Sequence, residues 1–142
     1  MRVARQILAN LEEKASGPNL IACPTCGRLE IDMFPMVKRV EEALTRVRRP
    51  INVAVMGCVV NGPGEGMHAD IGIAGGRQKG ILYRGGKVIA SLPEEELIAA
   101  LLRELDAIAD EDARLLAAGE PLPIGLGDGD ARALTPVPMA GS

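Results

Sequence analysis

The sequence predicts an α/β fold built from a βαβ unit and a β-hairpin. Apolar runs at 19–22 and 51–56 flank an amphipathic stretch, the pattern of two parallel strands joined by a helix with a right-handed crossover. Two further short strands flank the turn Arg84-Gly85-Gly86, as in a β-hairpin. Beyond residue 94, apolar residues recur at helical spacing, which predicts a long amphipathic helix.

Composition limits the function classes. The 142 residues are most simply one domain, and with only Phe34 and Tyr83 as aromatics its core must be aliphatic. A net charge of −3 gives no reason to expect binding to nucleic acid or a membrane surface. No apolar run approaches the roughly 20 residues of a membrane span, and no signal peptide is evident. We therefore expect a cytoplasmic protein whose three cysteines are thiols or ligands rather than disulfides.

The first half of the chain supplies the βαβ unit. Residues 1–14 have helical periodicity, and Asn19–Ala22 reads as a strand that leads into Cys23-Pro-Thr-Cys26. Asp32 is a candidate N-cap for a helix through Arg46, before the next strand at 51–56. The apolar residues expected on the inner face of this helix are Phe34, Met36, Val37, Val40 and Leu44.

The second half supplies the rest of the sheet and a covering helix. Asp70–Ala74 alternates like a strand, and 80–83 and 87–90 form the hairpin. Ser91-Leu-Pro-Glu94 has the pattern of a capping box at the start of the long helix. The boundaries expected are a helix over 1–15, a folded domain over 16–118 and, because Gly and Pro are frequent there, a disordered tail over 119–142.

Three cysteines follow the two strands that we expect to be parallel neighbours. In open α/β sheets, ligands gather at the carboxyl ends of the strands. Four interpretations are open. A zinc site would use Cys23, Cys26 and Cys58 with His68 as a possible fourth ligand, although we favour an ordinary surface histidine. A thioredoxin-like dithiol would leave Cys58 idle, and buried apolar thiols would need no ligand. An iron–sulfur site would use three thiolates and one other ligand.

Glu65 lies in the glycine-rich loop that follows Cys58. A carboxylate near an iron–sulfur cluster would bind the fourth iron weakly enough to be displaced by a substrate. The alternative is that Glu65 is a solvated loop acid, and composition alone favours that alternative. The same loop contains Asn61, Gly62, Pro63 and Gly64.

Three motifs resemble one known family in order and spacing. I-A-C-P-T-C-G-R, V-M-G-C-V-V-N-G-P-G-E and A-D-I-G-I-A-G-G are similar to the C-terminal domain of 4-hydroxy-3-methylbut-2-enyl diphosphate synthases. The resemblance covers about residues 1–109. It implies an α/β sandwich similar to the cluster domains of sulfite and nitrite reductases.

The resemblance also implies site residues and a cofactor. By this likeness, Cys23, Cys26 and Cys58 ligate a [4Fe–4S] cluster with Glu65 as the exchangeable fourth ligand. Asn61 is implied to lie near the cluster and to face the substrate. Glu65 and Asn61 are thus the candidate catalytic residues.

The implied reaction is the reductive ring opening of 2-C-methyl-D-erythritol 2,4-cyclodiphosphate in the non-mevalonate isoprenoid pathway, with electrons from reduced flavodoxin or ferredoxin. The family places a TIM barrel before this domain, so residues 1–15 are expected to be the helix that follows it. We expect a fragment or a separately encoded half, inactive alone, that works with a barrel domain in trans or in a homodimer partner. The alternative is a stand-alone iron–sulfur binding or electron-transfer module, but such a carrier usually has a fourth cysteine in place of Glu65.

Overall fold

The structure is a computed structural model that describes residues 17–23, 32–58, 68–76 and 79–126. The α/β prediction is confirmed over these residues. The predicted helix over 1–14 lies outside them. The described elements are β1 (Asn19–Cys23), α1 (Met33–Leu44), β2 (Asn52–Met56), β3 (Ile71–Ala74), β4 (Gly80–Arg84), β5 (Lys87–Leu92) and α2 (Glu94–Ala117).

The five strands form one mixed sheet in the order β1-β2-β3-β4-β5. β1, β2 and β3 are parallel, whereas β4 and β5 are antiparallel to their neighbours. The β1-α1-β2 segment is therefore the predicted βαβ unit. The β4–β5 hairpin is also confirmed, and its turn residues Gly85 and Gly86 have φ of 53° and 75°. Positive φ at both central residues is what a type I′ turn requires, and glycine adopts it without strain.

Both helices pack on the same face of the sheet. Their buried residues join one aliphatic core with strand residues such as Val53, Val55, Ile71 and Ile73. The two helices also contact each other. Neither described helix is both long enough and apolar enough to cross a membrane.

The inner face of α1 differs by one position from the prediction. Phe34 is 72% exposed, so its predicted place in the core is wrong, and Met33 is buried instead. Residues three or four apart share a helix face, and Met33, Met36, Val40 and Leu44 form such a row. One residue advances the helix by about 100°, which turns Phe34 away from that row.

The predicted capping box at the start of α2 is also wrong. Ser91 belongs to β5, where it pairs with Ile81, and the N-cap position of α2 is Pro93, which makes no side-chain cap. The Pro93 carbonyl instead accepts a hydrogen bond from the Leu97 N–H. Three glutamates at 94–96 occupy the first turn, where negative charge favours the helix dipole. Ser91 therefore pairs within the β4–β5 hairpin, although the local sequence pattern predicts it as the helix N-cap.

A buried ion pair connects α2 to the segment that leads into β2. Asp112 is fully buried, and its Oδ1 accepts a hydrogen bond from Arg49 Nε at 2.5 Å. Its Oδ2 accepts the backbone N–H groups of Arg48 and Arg49 at 2.8 and 2.9 Å. Glu111 Oε2 lies 2.6 Å from Arg49 Nη2. Burial lowers the pKa of Arg49, but hydrogen bonds and charge from the two acids outweigh it and hold that pKa above its ordinary value.

The first part of the predicted tail contacts the domain. Leu126 is 8% exposed and belongs to the aliphatic core. The Gly125 N–H donates to the Pro50 carbonyl at 3.0 Å. Residues 127–142 lie outside the described residues, so disorder there stays a prediction. The structure therefore ties the chain to the domain at least as far as Leu126.

We expect Asp112→Asn to destabilise the protein by about 3–5 kcal/mol, because it removes the fully buried carboxylate that pairs with the buried Arg49 side chain, although the pair with the less buried Glu111 remains. The control is Asp110→Asn on the same helix. Asp110 pairs with Arg46 at 3.2 Å, and both side chains are exposed. This change should cost less than about 1 kcal/mol. Urea unfolding measures both, and similar small losses in the two variants would contradict the assigned role of Asp112.

A chain that ends at Leu126 should be as stable as the full chain, whereas one that ends at Ala118 should lose about 2 kcal/mol or more. The shorter chain loses the burial of Leu126 and the hydrogen bond from Gly125 to Pro50. Thermal or urea unfolding of both truncations tests this. Equal stability of the two would show that the contacts of 119–126 contribute nothing.

Candidate metal centre

Two of the predicted ligand residues lie at the same edge of the sheet. β1 and β2 are parallel, and Cys23, the last residue of β1, is in register with Met56, the last residue of β2. Cys58 follows two residues after Met56. The parallel pairing predicted for these strands is thus confirmed, and it brings Cys23 and Cys58 to one edge.

The carboxyl end of β3 extends this edge. Ala74 ends β3 in register with Met56, and the Gly75 N–H donates to the Met56 carbonyl at 2.8 Å. Gly75 and Gly76 are both buried. Three neighbouring strand ends therefore lie side by side, with a cysteine at or just after each of the first two. In α/β sheets this edge is the usual place for a ligand.

A second apolar cluster covers the sheet face opposite the helices. It consists of Ala54, Met56, Ala69, Ala74 and Tyr83, and we call it the cysteine-side cluster because Cys23 packs against it, as does Ile81. Side chains alternate between the two faces of a strand, which is why Ala54 and Met56 lie here while Val53 and Val55 join the helices. Cys23 thus points away from the main core.

The two described cysteines differ in exposure. Cys58 is 6% exposed, whereas Cys23 is half-buried. Thiolates are ligands suited to iron–sulfur clusters and to zinc rather than to hard cations. The donor chemistry at this edge therefore fits the predicted class of metal centre.

The remaining predicted site residues lie outside the described residues. These are Cys26, Asn61 and Glu65, and their roles stay predictions. His68 is exposed, as expected of a surface histidine. Among residues 17–23, 32–58, 68–76 and 79–126, no three His, Cys, Asp or Glu side chains are grouped so as to hold a metal ion.

Tyr83 is a feature of this region that the sequence reasoning did not single out. It is 3% exposed, and its hydroxyl has no hydrogen-bond partner among the described residues. Burial raises the pKa of Tyr83, so the phenol stays protonated at neutral pH. Its register partner on β3 is Gly72. The sequence contains one tyrosine, but its cross-strand position opposite a glycine is recognised only when the register between β3 and β4 is known.

Comparison with known proteins assigns residues 19–107 to the family described as GcpE protein C-terminal domain. The chain is 47% identical over 111 residues to the 4-hydroxy-3-methylbut-2-en-1-yl diphosphate synthase (flavodoxin) of Bacillus subtilis (strain 168), which covers 78% of this chain and 29% of that protein. It is 49% identical over 113 residues to the protein of the same name from Bacillus cytotoxicus, which covers 80% and 31%.

A third relative, of the same name, from Bacillus pumilus (strain SAFR-032), is 48% identical over 78% of this chain. The chain spans about 30% of the length of these curated relatives. The matched segment includes β1, β2 and β3 with both described cysteines. The resemblance read from the three motifs is confirmed, and the chain belongs to the GcpE protein C-terminal domain family.

Proposed function

We propose that this chain is the [4Fe–4S] domain of a synthase that reductively converts 2-C-methyl-D-erythritol 2,4-cyclodiphosphate to 4-hydroxy-3-methylbut-2-enyl diphosphate. The observation that carries the proposal is the register of Cys23 with Met56, which brings Cys23 and Cys58 to one sheet edge. Membership of the family and the names of the relatives support it.

The proposed ligands are the thiolates of Cys23, Cys26 and Cys58, with Glu65 as the fourth. Cys26 follows Cys23 in a C-x-x-C motif, whose short spacing allows both thiolates to bind one cluster. A cluster bound there would supply electrons and an iron that accepts a substrate oxygen. Glu65 would be the ligand that substrate displaces, since a carboxylate is a harder and weaker ligand for iron–sulfur clusters than a thiolate.

The residues of the chain would hold and shield the site. Cys23 is the last residue of β1, so its backbone position is set by the β1–β2 pairing, and Cys58 follows the end of β2 by two residues. The cysteine-side cluster supplies apolar packing on the side of Cys23. Asn61 is proposed to face the substrate beside Glu65, where an amide can donate a hydrogen bond to a substrate oxygen.

Reduction of the cyclodiphosphate needs two electrons and two protons, and the ring C–O bond breaks with loss of one water. Reduced flavodoxin is the proposed donor because the relatives' names specify it, with ferredoxin as the other possibility. The chain corresponds to about 30% of the length of those proteins, so we propose that a TIM-barrel domain, in trans or in a homodimer partner, binds the substrate. The chain alone should therefore be inactive.

A stand-alone iron–sulfur module that only binds a cluster or transfers electrons is the alternative function. Glu65 at the position of a fourth ligand favours the synthase, because a carrier gains nothing from a ligand that leaves. Activity measured with and without a complementary barrel domain separates the two.

Anaerobic reconstitution of the full chain should give about four irons and four sulfides per chain, because three thiolates hold most of a cube. Iron and sulfide analysis with visible absorption measures this. Cys58→Ala should fail to assemble the cluster, since only two thiolates remain. One tightly bound zinc per chain, without charge-transfer absorption, would overturn the proposal.

Replacement of Glu65 tests the exchangeable ligand. Glu65→Ala should still assemble the cube but lose one iron more readily, because water replaces the carboxylate. Glu65→Cys should protect the cube from oxygen, because a thiolate is a stronger ligand for iron. Both should lower turnover in a complex with a barrel domain. EPR or Mössbauer spectra of the two variants and the parent distinguish the irons, and four equivalent irons with unchanged oxygen sensitivity in all three would show that Glu65 is only a loop acid.

A further inference from the structure

Among the described residues, the Tyr83 hydroxyl is the one buried side-chain nitrogen or oxygen without a hydrogen-bond partner. A buried hydroxyl that finds no partner costs stability, and native proteins rarely keep one. Phenylalanine would fill the same space without that cost. We therefore expect the hydroxyl to have a hydrogen-bond partner other than the described side chains, such as a ligand, a cofactor or a water.

The sheet is shaped around this ring. A Cβ placed on Gly72 would lie 2.5 Å from Tyr83 Oη and 2.7 Å from Cζ, so only glycine leaves room for the ring at this cross-strand position. The same Cβ would lie 2.5 Å from the Ala54 carbonyl oxygen. The hydroxyl end of the ring thus lies over Gly72 on β3, the strand next to β2.

A β-bulge lies beside the tyrosine. The register between β4 and β5 shifts between Leu82 and Tyr83, which pair with Ala90 and Val88. A bulge bends the strand locally and re-aims a side chain, and bulges are frequent next to functional sites. The extra residue of the bulge is Ile89 on β5, so the irregularity lies in the strand that pairs with Tyr83.

The ring belongs to the cysteine-side cluster rather than to the helix-side core. Met56 is in the same cluster and is the register partner of Cys23, so it connects the tyrosine with the cysteine edge. The other members of this cluster have no side-chain oxygen or nitrogen. Besides the Tyr83 hydroxyl, the side-chain heteroatoms of this face are therefore the sulfurs of Met56 and of Cys23, which packs against the cluster.

We propose that Tyr83 is a positioning residue of the metal centre, whose O–H donates a hydrogen bond, directly or through one buried water, toward sulfur held by Cys23 and Cys58. The inference rests on the proposed function, since it needs a cluster at this edge. Hydrogen bonds to cluster sulfurs favour the reduced, more negative state and so raise the reduction potential.

The test compares Tyr83→Phe with the parent in the full chain, metal-free and after anaerobic reconstitution. Without metal, the variant should melt at the same temperature as the parent or higher, because the lost hydroxyl had no partner. With the cluster, it should melt lower than the parent, and its midpoint potential should shift to a more negative value. If the hydroxyl donates to the cluster, the substitution should therefore lower the melting temperature only in the cluster-bound protein.

Ile81→Val is the matched control. Ile81 lies on the same strand, packs against the same cluster and carries no polar group. This variant should lower the melting temperature equally in both forms and leave the midpoint potential unchanged.

Equal effects of Tyr83→Phe in the two forms, with an unchanged midpoint potential, would overturn this inference and leave the proposed function standing. Failure of the parent chain to bind iron and sulfide would overturn both.

Discussion

The parallel hydrogen-bonded pairing of β1 with β2 is the constraint on which the candidate site depends. Cys23 and Cys58 are far apart in the chain, and no local geometry connects them. The pairing sets Cys23 against Met56, so that Cys58 emerges at the same edge two residues later. A slip by one residue would turn Cys23 to the helix face of the sheet, because side chains alternate along a strand. The facing of Cys23 and its closeness to the chain segment that carries Cys58 thus follow from one register.

The buried Arg49–Asp112 pair supports that register from the other end of β2. Asp112 accepts the backbone N–H groups of Arg48 and Arg49, and so holds the chain immediately before β2 against α2. Removal of two charges from water is costly, and three hydrogen bonds to one carboxylate offset that cost. Gly125 donates to the Pro50 carbonyl in the same segment. The entry into β2 is thereby fixed by contacts remote from the cysteines.

The two faces of the sheet serve different purposes. The helix face is filled by aliphatic residues of β2, β3, α1 and α2 and provides most of the apolar burial. The opposite face has the small residues Ala54, Gly72 and Ala74, and the Tyr83 ring packs over Gly72. A core of branched aliphatic side chains on both faces would leave no room for that ring. The small residues therefore allow a polar group to be buried on the side of Cys23.

The sequence by itself determined the order and type of the elements from β1 to α2, because apolar periodicity and the Gly85-Gly86 turn are local signals. It also indicated that cysteines would meet at a strand edge, since two apolar runs joined by a helix form parallel neighbours. Tertiary structure decided which residue of α1 is buried, whether Ser91 joins a strand or a helix, and that Leu126, within the predicted tail, packs in the core. It also paired Gly72 with Tyr83 and left the tyrosine hydroxyl without a partner among the described residues. These outcomes depend on contacts between segments distant in the chain, which local propensity does not encode.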